Sequence, residues 1–368
     1  MIRFTMTQDA CDVLVLGDDV AALAAAILLR NGSAARVICI GRTEPPARER
    51  LVLLNPAAFS LDKGIADPGV SATPVHTVRF CSDDASVRQE HRFPALASQV
   101  VHLQELTTGL REVAARCGVT FARESSVRVL RIDENEMEVA ASDGRLRCRM
   151  VLLSDDQLVD PSGIEIRARG TQTSRGLTYA FCHNHNRRSP GVLPLSVDLQ
   201  GQLRWGWLLT HGQLSQVLVD HEPDHPDPVG LLRHWLGVLN SHGEQVDDPG
   251  WEPRTIQLPA GEALRRETVG PRTLRIGIAG GFVSACCEEA YPGIWSGVCA
   301  ANVASKALRE RFLQDALQPF RSEWGGTLGD YLRGPHENLR FLLPLVYRNP
   351  TMAARLAEAI LLGASVVR

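Results

Sequence analysis

Six residues near the start of the chain, Gly17-Asp18-Asp19-Val20-Ala21-Ala22, stand where a strand turns into a helix. Such a turn binds a dinucleotide diphosphate when it offers glycine at the bend, glycine where backbone meets phosphate, and a small residue where helix meets strand. Gly17 fills the first place and Ala22 the third, but Asp19 occupies the second. The acidic residue that should follow the next strand, to hold a ribose hydroxyl, is replaced by Gly41 and Arg42. A carboxylate about 4 Å from a phosphate costs on the order of 4 kcal/mol at an effective dielectric near 20, about three decades of affinity. The same aspartates have another use, because an acidic side chain at a helix N-terminus caps free N–H groups and complements the dipole. The turn is therefore either a nucleotide site with an adverse charge or a self-capped turn in which Asp18 or Asp19 takes the anion's place.

Other stretches carry chemistry of their own. Glu288 and Glu289 are adjacent carboxylates placed for acid/base work, or for capping the helix that follows them. Cys286-Cys287 offers a redox pair or two small buried hydrophobes. Trp205 and Trp207, two apart on a strand, point the same way and either face a substrate or pack a sheet. Cys182, His183 and His185 lie close in sequence, but no complementary ligands have metal-site spacing, so no metal is expected. The loop "DHEPDHPDP" is punctuated by proline and is set aside for the same reason.

The elements that must position these residues follow from hydrophobic pattern. Asp12 to Leu16 reads as a buried parallel strand, Val20 to Arg30 as an alanine- and leucine-rich helix, and Arg36 to Ile40 as a second strand. Together they form a right-handed βαβ unit. Gln99 to Gly118 is patterned as an amphipathic helix, and Asp143-Gly144 signals a hairpin. Residues 165 to 260 are strand-like and turn-rich. Thr273 to Ile278 reads as another buried strand, Cys299 to Phe312 as a helix, and the tail as helical with breaks at Pro335, Pro344 and Pro350.

The segment Leu274 to Leu308, with Gly277 to Val283 reading "GIAGGFV", resembles the FAD-dependent aromatic hydroxylase and tryptophan-halogenase superfamily. Trp205 and Trp207, followed by Leu209, resemble the paired tryptophans of its halogenases, with Thr210 in place of a proline. Weaker likenesses cover "GLREVAARCGVTF", "MVLLSDD" and "NPTMAARLAEAILLG", so most of the chain follows the superfamily in order. It departs at Ser284 to Glu289, where halogenases carry proline and an acidic-serine pair, and the surroundings of Lys63 do not match their lysine motif.

The resemblance implies an α/β fold, in which a Rossmann-type FAD-binding domain carries an inserted, mostly antiparallel substrate domain and C-terminal helices. The FAD-binding parts would be residues 1–75, 99–164 and 263–312, the substrate-domain parts 76–98 and 165–262, and the helical segment 313–368. Gly17, Asp19, Ala22, Arg42 and Arg50 would lie at the phosphate end of FAD, and Gly277, Ala279, Gly280, Gly281 and Gly293 along its ribityl chain and ring. Glu288, Glu289, Trp205 and Trp207 are the candidates for catalysis. The implied function is a flavoprotein oxidoreductase, a monooxygenase acting on an aromatic or apolar group, with a partner protein or peptide as one form of substrate and a flavin reductase as electron source. The alternative is a flavin-fold protein that has lost tight FAD binding and serves as a binding or scaffolding partner.

Bulk properties agree with a large globular chain. It has 368 residues, 44% hydrophobic and 22% charged, with a formal net charge of -3 and a pI near 6.4. No basic surface for nucleic acid is indicated. Nine cysteines without metal spacing are expected to be free thiols in a cytoplasmic protein. No opening signal peptide and no membrane-spanning run is recognised.

Overall fold

In β1 (Asp9–Leu16), every side chain from Val13 to Leu16 is buried, as a strand covered on both faces requires. In the computed structural model, which describes residues 9–44, 49–60, 64–82, 88–142, 144–167, 175–183, 191–197, 203–247, 252–284, 286–333 and 345–363, β1 lies inside an eight-stranded sheet. It pairs in parallel with β2 (Val37–Arg42) and β11 (Gly144–Leu153). Beyond these, β8 (Thr120–Glu124) joins β2 and β18 (Thr273–Arg275) joins β11, again in parallel. Antiparallel additions complete the sheet: β17 (Val269–Gly270) on β18, β10 (Met137–Ala141) on β11, and β9 (Arg128–Ile132) on β10.

A second sheet of seven strands runs in the order β16 (Arg254–Leu258), β12 (Arg175–His183), β15 (Leu214–His221), β14 (Leu203–His211), β13 (Gly191–Val197), β5 (Thr77–Ser82) and β6 (Arg88–Arg92). Its neighbours are antiparallel except the parallel pair β13 and β5. A small antiparallel sheet places β7 (Ser98–His102) between β3 (Leu51–Leu54) and β4 (Ala72–Val75). The architecture is thus α/β, with one largely parallel sheet, one largely antiparallel sheet and helices at the C-terminal end.

The helices include α1 (Val20–Gly32), α2 (Leu103–Arg116), α3 (Pro228–Ser241), α4 (Ala290–Ala307), α5 (Leu313–Ala316), α6 (Phe320–Arg333) and α7 (Pro350–Leu362), with a further helical stretch at 345–348. All residues of α1 from Val20 to Leu29 are buried, which its alanine content permits by letting neighbours approach from every side. The closest approach is α4: a Cβ at Gly297 would lie 2.4 Å from the Ala21 carbonyl oxygen and 3.2 Å from the Ala25 nitrogen.

Three elements differ from the sequence expectation. Residues 99–118 divide into β7 and α2, because Val100 and Val101 pair with strands on both sides, and that tertiary pairing overrides the helical pattern. The strand expected to reach Ile278 ends at Arg275, since Gly277 turns the chain at φ +52°. The helix expected from Cys299 begins earlier, at Ala290. The break expected at Pro350 is present: a helical stretch at 345–348 ends before Asn349, which caps α7, and Pro350 takes the first-turn position where its missing N–H costs nothing. Lys63, Asp143, His185, Pro335 and Pro344 lie outside the described residues.

Gly297→Ala tests the α1–α4 contact. Alanine normally stabilises a helix interior relative to glycine by up to about 1 kcal/mol, but here its methyl meets backbone that cannot yield. A net loss of roughly 1–3 kcal/mol is expected, read as a lowered midpoint in denaturant.

Candidate functional site

The C-terminal ends of β1 and β11 open onto a groove, and the β1–α1 turn forms its floor. Gly17 has φ +127°, and a Cβ there would lie 2.9 Å from Ser154 Cβ at the end of β11, so only glycine fits. Asp19 is the N-cap of α1: its Oδ1 accepts hydrogen bonds from the backbone N–H of Ala21 at 3.0 Å and of Ala22 at 2.9 Å. The Ser154 hydroxyl donates to its other oxygen. The turn is self-capped, with Asp19 rather than Asp18 in the capping role.

Asp18 has a different task. It is 4% exposed, and its Oδ2 faces Arg111 Nη1 of α2 at 3.0 Å and Arg123 Nη1 of β8 at 2.8 Å. Its carboxylate lies over Gly41, where a Cβ would come within 2.7 Å of it. Arg111 also stacks 4.2 Å from the Phe121 ring, which fixes the guanidinium. The end of β2 is therefore supplied with a carboxylate from the turn instead of from β2 itself.

Across the groove, Arg50 and Glu289 form a buried ion pair. Arg42 pairs with Asp155 at 2.8 Å and bonds to Gln157. Burial pushes the Asp156 carboxyl up to about 6. The space left among these groups is about 240 Å³, below the roughly 300–1,000 Å³ usual for a small-molecule pocket. Its apolar wall includes Leu103, Ile256, Leu258, Pro259 and Ile278.

Of the residues expected at a site, Asp19, Arg42, Arg50, Gly277, Ala279, Glu289 and Gly293 line this cavity. Gly17, Ala22, Gly280, Gly281, Glu288, Trp205 and Trp207 are not among its lining residues. Trp205 and Trp207 are buried on β14 in an apolar cluster that also contains Tyr179, Cys286 and Cys287. Burial raises both thiols, Cys287 to about 12, so neither is a thiolate near neutral pH. Among the described residues no three His, Cys, Asp or Glu gather as metal ligands.

Glu288 occupies a closed polar pocket of its own. Its carboxylate accepts from the Tyr291 N–H at 3.0 Å, in the first turn of α4, and from the Tyr331 hydroxyl at 2.9 Å. Burial raises it to about 7, against the lowering effect of these hydrogen bonds. It performs the capping that Glu289, at the formal N-cap position, does not. The roles of Asp18, Arg111, Arg123 and Ser154 were not foreseen from sequence. The one available signal was Ser154-Asp155-Asp156 at the end of β11, where three short polar residues follow an apolar strand.

No family model matches the chain, and no curated protein matches its sequence. Solved structures do match. A geranylgeranyl bacteriochlorophyll reductase-like protein from Thermoplasma acidophilum aligns with a TM-score of 0.74 at 14% identity, over 98% of this chain and 94% of that one. The p-nitrophenol 4-monooxygenase of Pseudomonas putida DLL-E4 aligns at 0.66 and 14% identity, over 96% and 95%. A variant of the halogenase PltM in complex with FAD aligns at 0.64 and 13% identity, over 97% and 77%. At these identities the likeness establishes the fold, which is that of FAD-dependent hydroxylases, halogenases and geranylgeranyl reductase-like proteins.

FAD would bring a diphosphate to the start of the first helix of such a fold. In this chain the Ala21 and Ala22 amides are already bound to the Asp19 carboxylate. Arg50, a cation lining the same cavity, is already paired with Glu289. The residues at the phosphate end therefore do not fit the cofactor in this arrangement.

Two measurements check these contacts. Glu289→Ala leaves Arg50 charged and buried, and is expected to cost about 3–5 kcal/mol in denaturant unfolding. For Glu288, the raised folded-state pKa means that folding favours the protonated acid. That contribution is present below the ordinary carboxylate range and is lost as pH rises through about 7. Wild-type stability should fall between roughly pH 5 and pH 8, and thermal midpoints of Glu288→Gln should vary less across the same interval.

Proposed function

We propose that this chain is a flavin-fold protein that works without tightly held FAD, as a binding or scaffolding partner for an aromatic or apolar group, free or carried by another protein. One observation carries this reading: the Asp19 carboxylate on the first free amides of α1, held from behind by Ser154. Like charges about 4 Å apart at this position oppose a phosphate by on the order of 4 kcal/mol. The size and apolar wall of the remaining cavity support a compact ligand over a dinucleotide.

A second reading is a flavoprotein oxidoreductase, a monooxygenase on an aromatic or apolar group that receives flavin from a reductase. The tight glycine turn favours it, with Gly277 at φ +52° in the wall of the groove. The whole-chain likeness to flavin-dependent enzymes also supports it.

The visible absorption spectrum of the purified protein separates the two, followed by titration with oxidised and reduced FAD. The first reading expects colourless protein and no saturable binding at micromolar FAD. A yellow protein with stoichiometric flavin would overturn it in favour of the second.

A further inference from the structure

The same groove supports a sharper statement, which rests on the reading that FAD is not tightly held. Three carboxylates inside it are paired with donors, two of them with donors from more than one element. Asp19 is held by two α1 amides and by the Ser154 hydroxyl at the end of β11. Asp18 is held by Arg111 from α2 and Arg123 from β8. Glu289, at the start of α4, is held by Arg50, just ahead of β3.

We propose that these side chains are built-in anions that keep a latent diphosphate site shut, supplying from within the negative charge that the groove's donors require. A helix N-terminus leaves N–H groups that need an acceptor, and buried guanidinium groups need a counter-charge. In this chain covalently attached carboxylates answer both demands, Asp19 at the α1 amides and Glu289 at the buried Arg50. Asp19 is the member whose removal exposes the amides. Gly17 and Ala22, on either side of it, already have the types that a diphosphate turn needs.

The test uses the full chain with ADP and inorganic pyrophosphate as probes, read by calorimetric titration and by thermal midpoint. Wild type is expected to show neither saturable binding nor a shifted midpoint. Asp19→Gly should remain folded, because glycine is a tolerated N-cap, and should bind ADP at least tenfold more tightly than wild type with a midpoint that rises on addition. Asp19→Asn keeps a cap acceptor and removes the charge. It serves as the fallback if the glycine variant is unstable, and should also bind ADP more tightly than wild type.

The inference is overturned if both variants bind the probes no better than wild type, or if wild type binds ADP as tightly as Asp19→Gly does. The two failures are distinct. Colourless wild type with unresponsive variants removes the latent-site inference and leaves the reading of a protein without tightly held FAD standing. Wild type that is purified yellow removes that reading first.

Discussion

A single carboxylate resting on two backbone amides governs the character of the groove. The first turn of any α-helix presents donors with no partner inside the helix, and a fold that aims this end at a cleft creates a demand for negative charge there. Asp19 meets the demand from within the turn, through the amides of Ala21 and Ala22. The Ser154 hydroxyl then has an acceptor, and the end of β11 is tied to the start of α1. The neighbouring ion pairs extend the same pattern, with Arg50 matched to Glu289 and Asp18 to Arg111 and Arg123.

The scaffold around this turn is nonetheless complete. The parallel sheet, the close crossing of α1 and α4 and the glycine turn after β18 are present, and the fold matches that of a halogenase in complex with FAD over almost the whole of this chain. A shared fold speaks for shared packing, whereas ligand chemistry resides in a few side chains placed upon it. Here the packing has been kept at positions such as Gly17 and Gly297, where any side chain would meet its neighbours. The electrostatics of the cleft are set by other residues, Asp18, Asp19 and Glu289.

Much of the scaffold could be read from the amino acids because it rests on local pattern. The apolar run ending at Leu16, the alanine-rich stretch after Val20 and the "GIAGGFV" turn each specify their element within a few residues. The capping role of an aspartate at the turn was legible for the same reason, since donor and acceptor are two or three residues apart. Pairings across the chain were not legible. Nothing near Asp18 announces Arg111 or Arg123, and nothing near Arg50 announces Glu289, because those contacts exist only once the sheets and α4 are assembled. Residues 99–102 form strand rather than helix for a related reason: their fate depends on two partner strands distant in sequence.

The position of Asp18 above Gly41 has a steric corollary. The two sites share one volume: the carboxylate of residue 18 fills the space that a side chain at residue 41 would need. An acid can reach the tip of the second strand from either place, but not from both. A replacement that brings an acid to residue 41 therefore has to come with a smaller side chain at residue 18, and the reverse holds as well.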